Sequence, residues 1–452
     1  MKFSIYPKKI KIALYFLFFC LGIMNHLGTI LVQTGARLLA KELGMEKYLY
    51  FYSTSCIIFS SIMRVLNSKF FIKVPYKKRV IALSILMIFG YLSMFIILKL
   101  HHSKLENENT LCFLLSLIPS CLLGASYAFG ENAILAYLKL FPKEFLGGWS
   151  SGTGLSGLTS ASLNLSSQLI NNFGIINLYL YLTPLGSVYF LFFLFTEKLK
   201  DCYSDKQTFL GGLLENEGNK EEKNQETNNE YNKTNIEEEK ENVEENKLED
   251  EKLLKDIDKD DIKEVKEMSF INFKYVMKIS GDVIINLCLI YFFQFFSANA
   301  LMIVVVRKID IKFLPLDKEN HRKAKFEFLL MFFQIGMFIA KSLLFIARKI
   351  QPIYIYTIVL SSISIFLIFQ YYYVIFQYYL LIPILMINGF FGGGSYAGGF
   401  YAILNNEKLG SKYKDLTVNI ATIFDDIGTI LSGLFGFINQ KYIMTVDDLI
   451  IK

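Results

Sequence analysis

Apolar residues run along this chain in long unbroken blocks, and the blocks predict its elements more firmly than any short alternation does. Eleven of them, near 11–33, 48–71, 80–98, 111–138, 152–170, 176–196, 283–306, 326–347, 353–371, 378–403 and 416–437, match the ~20 residues that an α-helix needs to cross a bilayer's hydrocarbon core. The elements expected are therefore transmembrane helices. The first block is longer than a signal-peptide core and lacks an A-x-A cleavage signal, so it reads as an uncleaved anchor.

The blocks are related to one another. Gly124-Ala-Ser126-Tyr127-Ala128-Phe-Gly130-Glu131-Asn-Ala133-Ile134-Leu135 returns as Gly393-Gly-Ser395-Tyr396-Ala397-Gly-Gly399-Phe400-Tyr-Ala402-Ile403-Leu404. Gly152-Thr153-Gly-Leu155-Ser156-Gly157-Leu158 returns as Gly428-Thr429-Ile-Leu431-Ser432-Gly433-Leu434, and a weaker echo pairs Phe18-Phe19 and Asn25 with Phe292-Phe293 and Asn299. The offsets, 269, 276 and 274 residues, agree well enough to imply one half duplicated in parallel, as in major-facilitator proteins. They pair span 4 with 10, 5 with 11 and 1 with 7, and leave span 6 without a partner. The expected fold is an all-α, major-facilitator-like, two-lobed bundle of about eleven transmembrane helices, six plus five. Its site is expected in the cavity between the lobes. The domain reading is a six-helix bundle over 1–198, a charged, disordered linker over 199–275, a five-helix bundle over 276–438 and a short polar tail over 439–452.

Composition agrees with this: 53% of residues are hydrophobic and 15% aromatic, which excludes a soluble globular class. The net charge of +6 conceals a division. Residues 215–267 hold 21 of the 41 acidic and 10 of the 47 basic side chains, with almost no aromatics, and such a stretch cannot bury enough apolar surface to fold. The remainder is left with 20 acids against 37 basic residues. Lys2, Lys8, Lys9 and Lys11 before span 1, and Lys69, Lys73, Lys77, Lys78 and Arg79 between spans 2 and 3, put the N-terminus and the linker in the cytosol by the positive-inside rule. An odd span count then puts the C-terminus in a lumen. Arg307, Lys308, Lys312, Lys318, Arg322, Lys323 and Lys325 fall on the opposite side against that rule, so their loop is expected to fold into the protein or to escape the rule. The six cysteines show no disulfide or metal spacing.

Ionisable and polar groups inside spans are costly and each is a functional hypothesis. In span 4, Glu131 follows Tyr127 by one turn and stands where the repeat has Phe400, so a proton or substrate role there would be one-sided; a structural hydrogen bond is the alternative. Asp425 and Asp426 are read as opening the helix of span 11, where they would cap it or couple a proton. Gly389, Gly392, Gly393, Gly394, Gly398 and Gly399 in span 10 are expected either to unwind the helix beside a cavity, as a hinge or a row of backbone donors, or to pack closely. Gly152 and Gly154 on span 5 and Gly428 on span 11 read the same way, as packing or gating positions. Asn25 and His26 in span 1, Gln294 and Asn299 in span 7, Tyr396 in span 10 and Lys341 in span 8 complete the predicted pathway. Lys341 is expected either to pair across helices or to bind an anion. Arg64 is read as snorkelling to the cytosolic end of span 2. No nucleophile motif, phosphate loop, metal cluster or dinucleotide fingerprint occurs in the spans, so no enzyme, cofactor, metal or nucleic-acid partner is expected.

These landmarks together resemble the battenin family. The resemblance rests on Gly130-Glu131, Phe141-Pro142, Trp149-Ser150-Ser151-Gly152-Thr153-Gly154, the Gly22 to Asn25 region, Gly392-Gly393-Gly394-Ser395-Tyr396, and Asp425-Asp426-Ile-Gly428 with Leu431-Ser432-Gly433-Leu434. It implies an endolysosomal or vacuolar membrane, a role in compartment pH and storage-material clearance, and export of glycerophosphodiesters; export of basic amino acids is the alternative substrate. A non-transporting scaffold for endolysosomal trafficking, acting through cytosolic partners of the 215–267 insert, is the alternative class. The chain departs from the family in carrying Gln294 where an acid is usual, Lys341 where an arginine is usual, and a longer insert. Asp425 aligns with the family's single aspartate.

Overall fold

The computed structural model describes residues 8–71, 74–104, 108–138, 140–142, 145–170, 173–200, 270–309, 318–343, 349–350, 353–406, 408–409 and 411–444. The chain separates into two compact units, Met1–Phe195 with Val276–Lys452, and Thr196–Tyr275. Nearly all of the predicted linker, 201–269, lies outside the described residues, as do 310–317 of the basic loop and 445–452 of the tail. Every regular element among the described residues is helical.

Eleven long helices stand where the apolar blocks predict them: α1 (Lys8–Thr34), α2 (Tyr50–Leu66), α3 (Tyr76–Lys104), α4 (Asn109–Leu138), α5 (Phe145–Leu169), α6 (Ile175–Lys200), α7 (Phe273–Val306), α8 (Lys318–Ser342), α9 (Tyr354–Tyr373), α10 (Tyr378–Leu404) and α11 (Ser411–Ile438). Nine of these are apolar enough by themselves to span a bilayer; α5 and α8 are not. The reason is compositional. The first turns of α8 are charged, and α5 is built from glycine, serine and threonine because it packs between α1 and α8 rather than against lipid. Lipid contact falls to faces such as Ile358, Ile365 and Phe369 of α9, each more than half exposed. Pro184 interrupts α6, since it lacks the N–H that a helix interior needs. Residues Phe296–Leu301 of α7 widen into a π-helical turn.

The duplication is visible as packing. In one half α1 packs on α5 and α2 on α4; in the other α7 packs on α11 and α8 on α10. Glycine makes each approach possible. A Cβ placed at Gly152 would land on the Phe19 carbonyl oxygen and one at Gly428 on that of Cys288; at Gly124 it would meet the Cys56 carbonyl and at Gly389 the Phe333 carbonyl. The two halves meet along two seams, α5 against α8 and α2 against α11, which the repeat interchanges. At the first, Gly154 lies under the Lys341 Cβ and Phe338.

Two expectations are corrected here. Helix α10 is continuous from Tyr378 to Leu404, so its glycines do not unwind it. Gly389 and Gly393 abut α8, and Gly392 abuts Gln294 of α7, so close packing keeps the helix regular by supplying neighbours on two sides. Asp425 and Asp426 lie in the middle of α11, well beyond its start at Ser411, and so cap nothing.

These approaches yield a direct expectation. Replacing Gly152 by valine forces α1 from α5 and is expected to cost about 3 kcal/mol, the range of overpacked cores; thermal unfolding in detergent measures it. Gly147→Val is the control, because a Cβ there meets only Tyr15, its hydroxyl at 3.6 Å and its ring at 3.8 Å, and an equal loss in both variants would contradict the packing account.

Candidate functional site

Glu131 is 3% exposed in α4, and a carboxylate at that depth requires compensation. Three other helices supply it. Arg64 of α2 brings Nη2 to 2.9 Å from Oε2. Tyr396 of α10 donates its hydroxyl to Oε1 at 3.2 Å, and His26 of α1 holds Nε2 3.9 Å from the same oxygen. One turn before Glu131, Tyr127 accepts from Arg64 at 3.2 Å and lies under its guanidinium, 5.4 Å from ring centre. The His26 ring meets Tyr127 and Trp149 edge-on.

Arg64 also reaches the other half. Its Nε is 3.6 Å from Oδ2 of Asp426 on α11, and Ser61, on the same face of α2, donates to that oxygen at 2.6 Å. Neither Arg64 Nε nor Glu131 Oε2 makes an aligned hydrogen bond, so these contacts are Coulombic and leave bonding capacity unused. The expectation that Arg64 snorkels outward is corrected: its side chain is 10% exposed, drawn inward by two carboxylates and a tyrosine.

Lys341 has the repeat-related place. It lies 277 residues after Arg64, near the end of α8 as Arg64 is near the end of α2, and its Nζ stands 5.7 Å from the centre of the Tyr396 ring as Arg64 stands over Tyr127. Arg64 meets two acids, whereas Lys341 has Phe400 at the position repeating Glu131 and Ser150 at the position repeating Asp426. Ser150 donates only to the Lys341 backbone carbonyl, at 3.3 Å. The Lys341 ammonium makes no hydrogen bond or ion pair among the described residues.

The other predicted residues divide. Asn25 donates to the Tyr127 carbonyl at 3.1 Å, fixing α1 against the helix that carries Glu131. Gln294 is buried under Gly392 and reaches only Met337 Sδ, at 3.6 Å, so it lies apart from the cluster. Asp425 is 5% exposed with Oδ1 lacking a hydrogen-bond partner; it shares a face with Gly428, which packs on α7, and makes no ion pair among the described residues. Gly393 and Gly394 are buried in α10. Asn299 lies in the π-turn of α7 and lines a separate cleft with Thr34, Arg37, Tyr50 and Ser432. The echo of Asn25 in Asn299 is thus not an equivalence of place, because the π-turn alters the register.

Beside that cleft lies a contact that sequence reasoning missed. Arg37, in the short helix Ala36–Glu42, donates to both carboxylate oxygens of Glu327 in α8 at 3.3 and 3.4 Å, tying the halves together near the end of α1, whereas Arg64 and Lys341 tie or flank them near the ends of α2 and α8. Of the basic loop, Lys325 turns back onto the Ile309 carbonyl at 2.6 Å. Among the described residues no three His, Cys, Asp or Glu side chains gather as metal ligands.

The family model described as CLN3 protein matches residues 16–446. Battenin of Dictyostelium discoideum is 28% identical over 319 residues, 69% of this chain and 69% of that protein. Among solved structures, a POT family transporter in complex with 5-aminolevulinic acid superposes with a TM-score of 0.56 at 12% identity, covering 97% of this chain and 92% of that one. The E. coli xylose transporter in an inward-open conformation superposes with a TM-score of 0.55 at 11% identity, covering 96% and 90%. At such identities the structural likeness concerns the fold, which is the two-lobed major-facilitator type.

Proposed function

The chain belongs to the CLN3 protein, or battenin, family, and from that premise we propose that it is an alternating-access transporter that carries a phosphodiester anion, of the glycerophosphodiester class, across an endolysosomal or vacuolar membrane. The observation that carries the reading is the unmatched cation. Lys341 stands at a seam between the halves, over Tyr396, with no ion pair of its own among the described residues, since Glu131, the acid nearest in influence, is paired with Arg64, and a cation so placed in a low-dielectric setting attracts an anion strongly. Tyr396 also holds Glu131, which makes the carboxylate a natural proton carrier for the same cycle and ties transport to organelle pH. The two sets of interhalf contacts, Arg37 with Glu327 and Arg64 with Asp426, are suited to open in turn as the halves rock.

A basic amino acid fits this site less well. Glu131 and Asp426 already face Arg64, and the group left without an ion pair is the cation Lys341. The orientation proposed places the linker and the N-terminus in the cytosol.

The test is uptake of labelled glycerophosphoglycerol and glycerophosphocholine into proteoliposomes holding the full chain, with and without a pH gradient, against empty liposomes. Saturable uptake driven by the gradient is expected. Glu131→Gln is expected to weaken the dependence on pH without lowering protein abundance; a Gln variant whose pH response equals that of the parent would remove Glu131 from the proton pathway.

A further inference from the structure

We propose that Arg64 is a second anion-binding residue of this site, withheld from the ligand by Glu131 and Asp426, and that one proton taken up by this carboxylate pair presents Arg64 to the monoanion held at Lys341. The inference rests on the anion-site reading of Lys341 and deepens it.

The repeat supplies the first argument. Arg64 and Lys341 occupy equivalent places on equivalent helices, each over the equivalent tyrosine, at 5.4 and 5.7 Å from the ring centres. A duplicated half that turns one cation to a central ligand turns the other toward it as well. What differs is the company. The acids stand on the Arg64 side alone, and Phe400 and Ser150 stand in their places on the Lys341 side.

Geometry supplies the second. The hold of Asp426 on Arg64 is the loose one: Nε is 3.6 Å from Asp426 and has no hydrogen-bond partner although buried, Oδ2 of Asp426 is already taken at 2.6 Å by Ser61, and the close contact of Arg64, at 2.9 Å, is with Glu131. A phosphate oxygen would form the charge-assisted bonds that this arrangement omits.

Charge supplies the third. Arg64 faces Glu131 and Tyr127 from α4 and Asp426 from α11; Glu131 is further faced by His26 from α1 and Tyr396 from α10, with Lys341 of α8 over that tyrosine and Asp425 one residue from Asp426 on α11. With His26 neutral, and Asp425 counted as neutral because it is buried without an ion pair among the described residues, two cations and the two acids of the pair sum to zero. A monoanion added to a neutral buried cluster leaves an uncompensated charge, which is costly. One proton on Glu131 or Asp426 removes it, and the neutralised acid releases its share of the guanidinium. A phosphodiester keeps its single charge throughout, so the pH dependence is the protein's own, and the stoichiometry is one proton per anion.

Binding of glycerophosphoglycerol to the purified full chain at acid and neutral pH tests this. The parent protein is expected to bind roughly tenfold more tightly at acid pH, a change of about 1.4 kcal/mol. Asp426→Asn is expected to bind equally at both pH values, at the tighter level, and Asp426→Ser, the residue at the equivalent seam, does the same should the amide not fold. Adding Arg64→Gln to either is expected to return binding to a weak level at both pH values. Parent-like pH dependence in the Asp426 variants overturns the inference, as does tight binding that survives loss of Arg64. Binding abolished by Lys341→Ala yet indifferent to Asp426 overturns it while sparing the anion-site reading, and no binding by the parent protein overturns both.

Discussion

Lys341→Ala is expected to raise the KM for glycerophosphoglycerol uptake about thirtyfold or more, while the protein stays folded and as stable as the parent. Truncating one member of a buried charge pair costs 2–5 kcal/mol of binding, roughly 30- to several-thousand-fold. The protein itself loses little, because Lys341 makes no ion pair among the described residues that its removal would strand, and alanine keeps the Cβ that packs against Gly154. Lys341→Arg is expected to retain uptake through the same charge over the Tyr396 ring. Uptake kinetics in proteoliposomes, read beside thermal unfolding in detergent, separate the two effects. Unchanged KM in the alanine variant would take the anion away from α8.

The architecture was legible because its signals are strong and local. Hydrocarbon-length blocks marked all eleven helices, and the repeated glycine-serine-tyrosine segment marked the duplication that the packing of α1 on α5 and α7 on α11 displays. The glycines were legible only in part. Sequence could not choose between an unwound α10 and a tightly packed one, since that depends on whether a neighbour's backbone lies within reach, as Phe333 and Met337 of α8 do. Asp425 and Asp426 were misread as a helix start although they fall inside the apolar block 416–437, because adjacent carboxylates are common at helix N-termini; the helix begins at Ser411 and tolerates polar residues where it meets protein rather than lipid.

The site was half legible. Glu131, Tyr127, Tyr396 and Lys341 were singled out as polar groups in apolar surroundings, and the fold bonds Tyr396 to Glu131, links Tyr127 to that carboxylate through Arg64 and sets Lys341 over Tyr396. Arg64 was passed over because an arginine toward the cytosolic end of an apolar block ordinarily snorkels. A signal was nevertheless present: Arg64 and Lys341 are 277 residues apart, within one residue of the 276 that pairs Gly152 with Gly428, so the two cations are candidates for equivalent places. Arg37 and Glu327 offered no such clue, since their pairing across 290 residues exists only in the assembled halves.

The opposite circumstances of the two repeat-related cations give the last expectation its form. Arg64→Gln leaves Glu131 and Asp426 facing each other's charge with side chains 5% and 14% exposed, and a stranded buried charge costs about 3–5 kcal/mol. The variant is therefore expected to lose most of its thermal stability in detergent, unlike Lys341→Ala. Neutralising the acids as well, in Arg64→Gln with Glu131→Gln and Asp426→Asn, removes what was stranded and is expected to recover most of that loss, because replacing a whole buried ion cluster is often close to neutral. Thermal unfolding of the single and triple variants decides it. A triple variant as unstable as the single one would mean that Arg64 holds the seam between α2 and α11 by packing and by its bond to Tyr127, and not by charge.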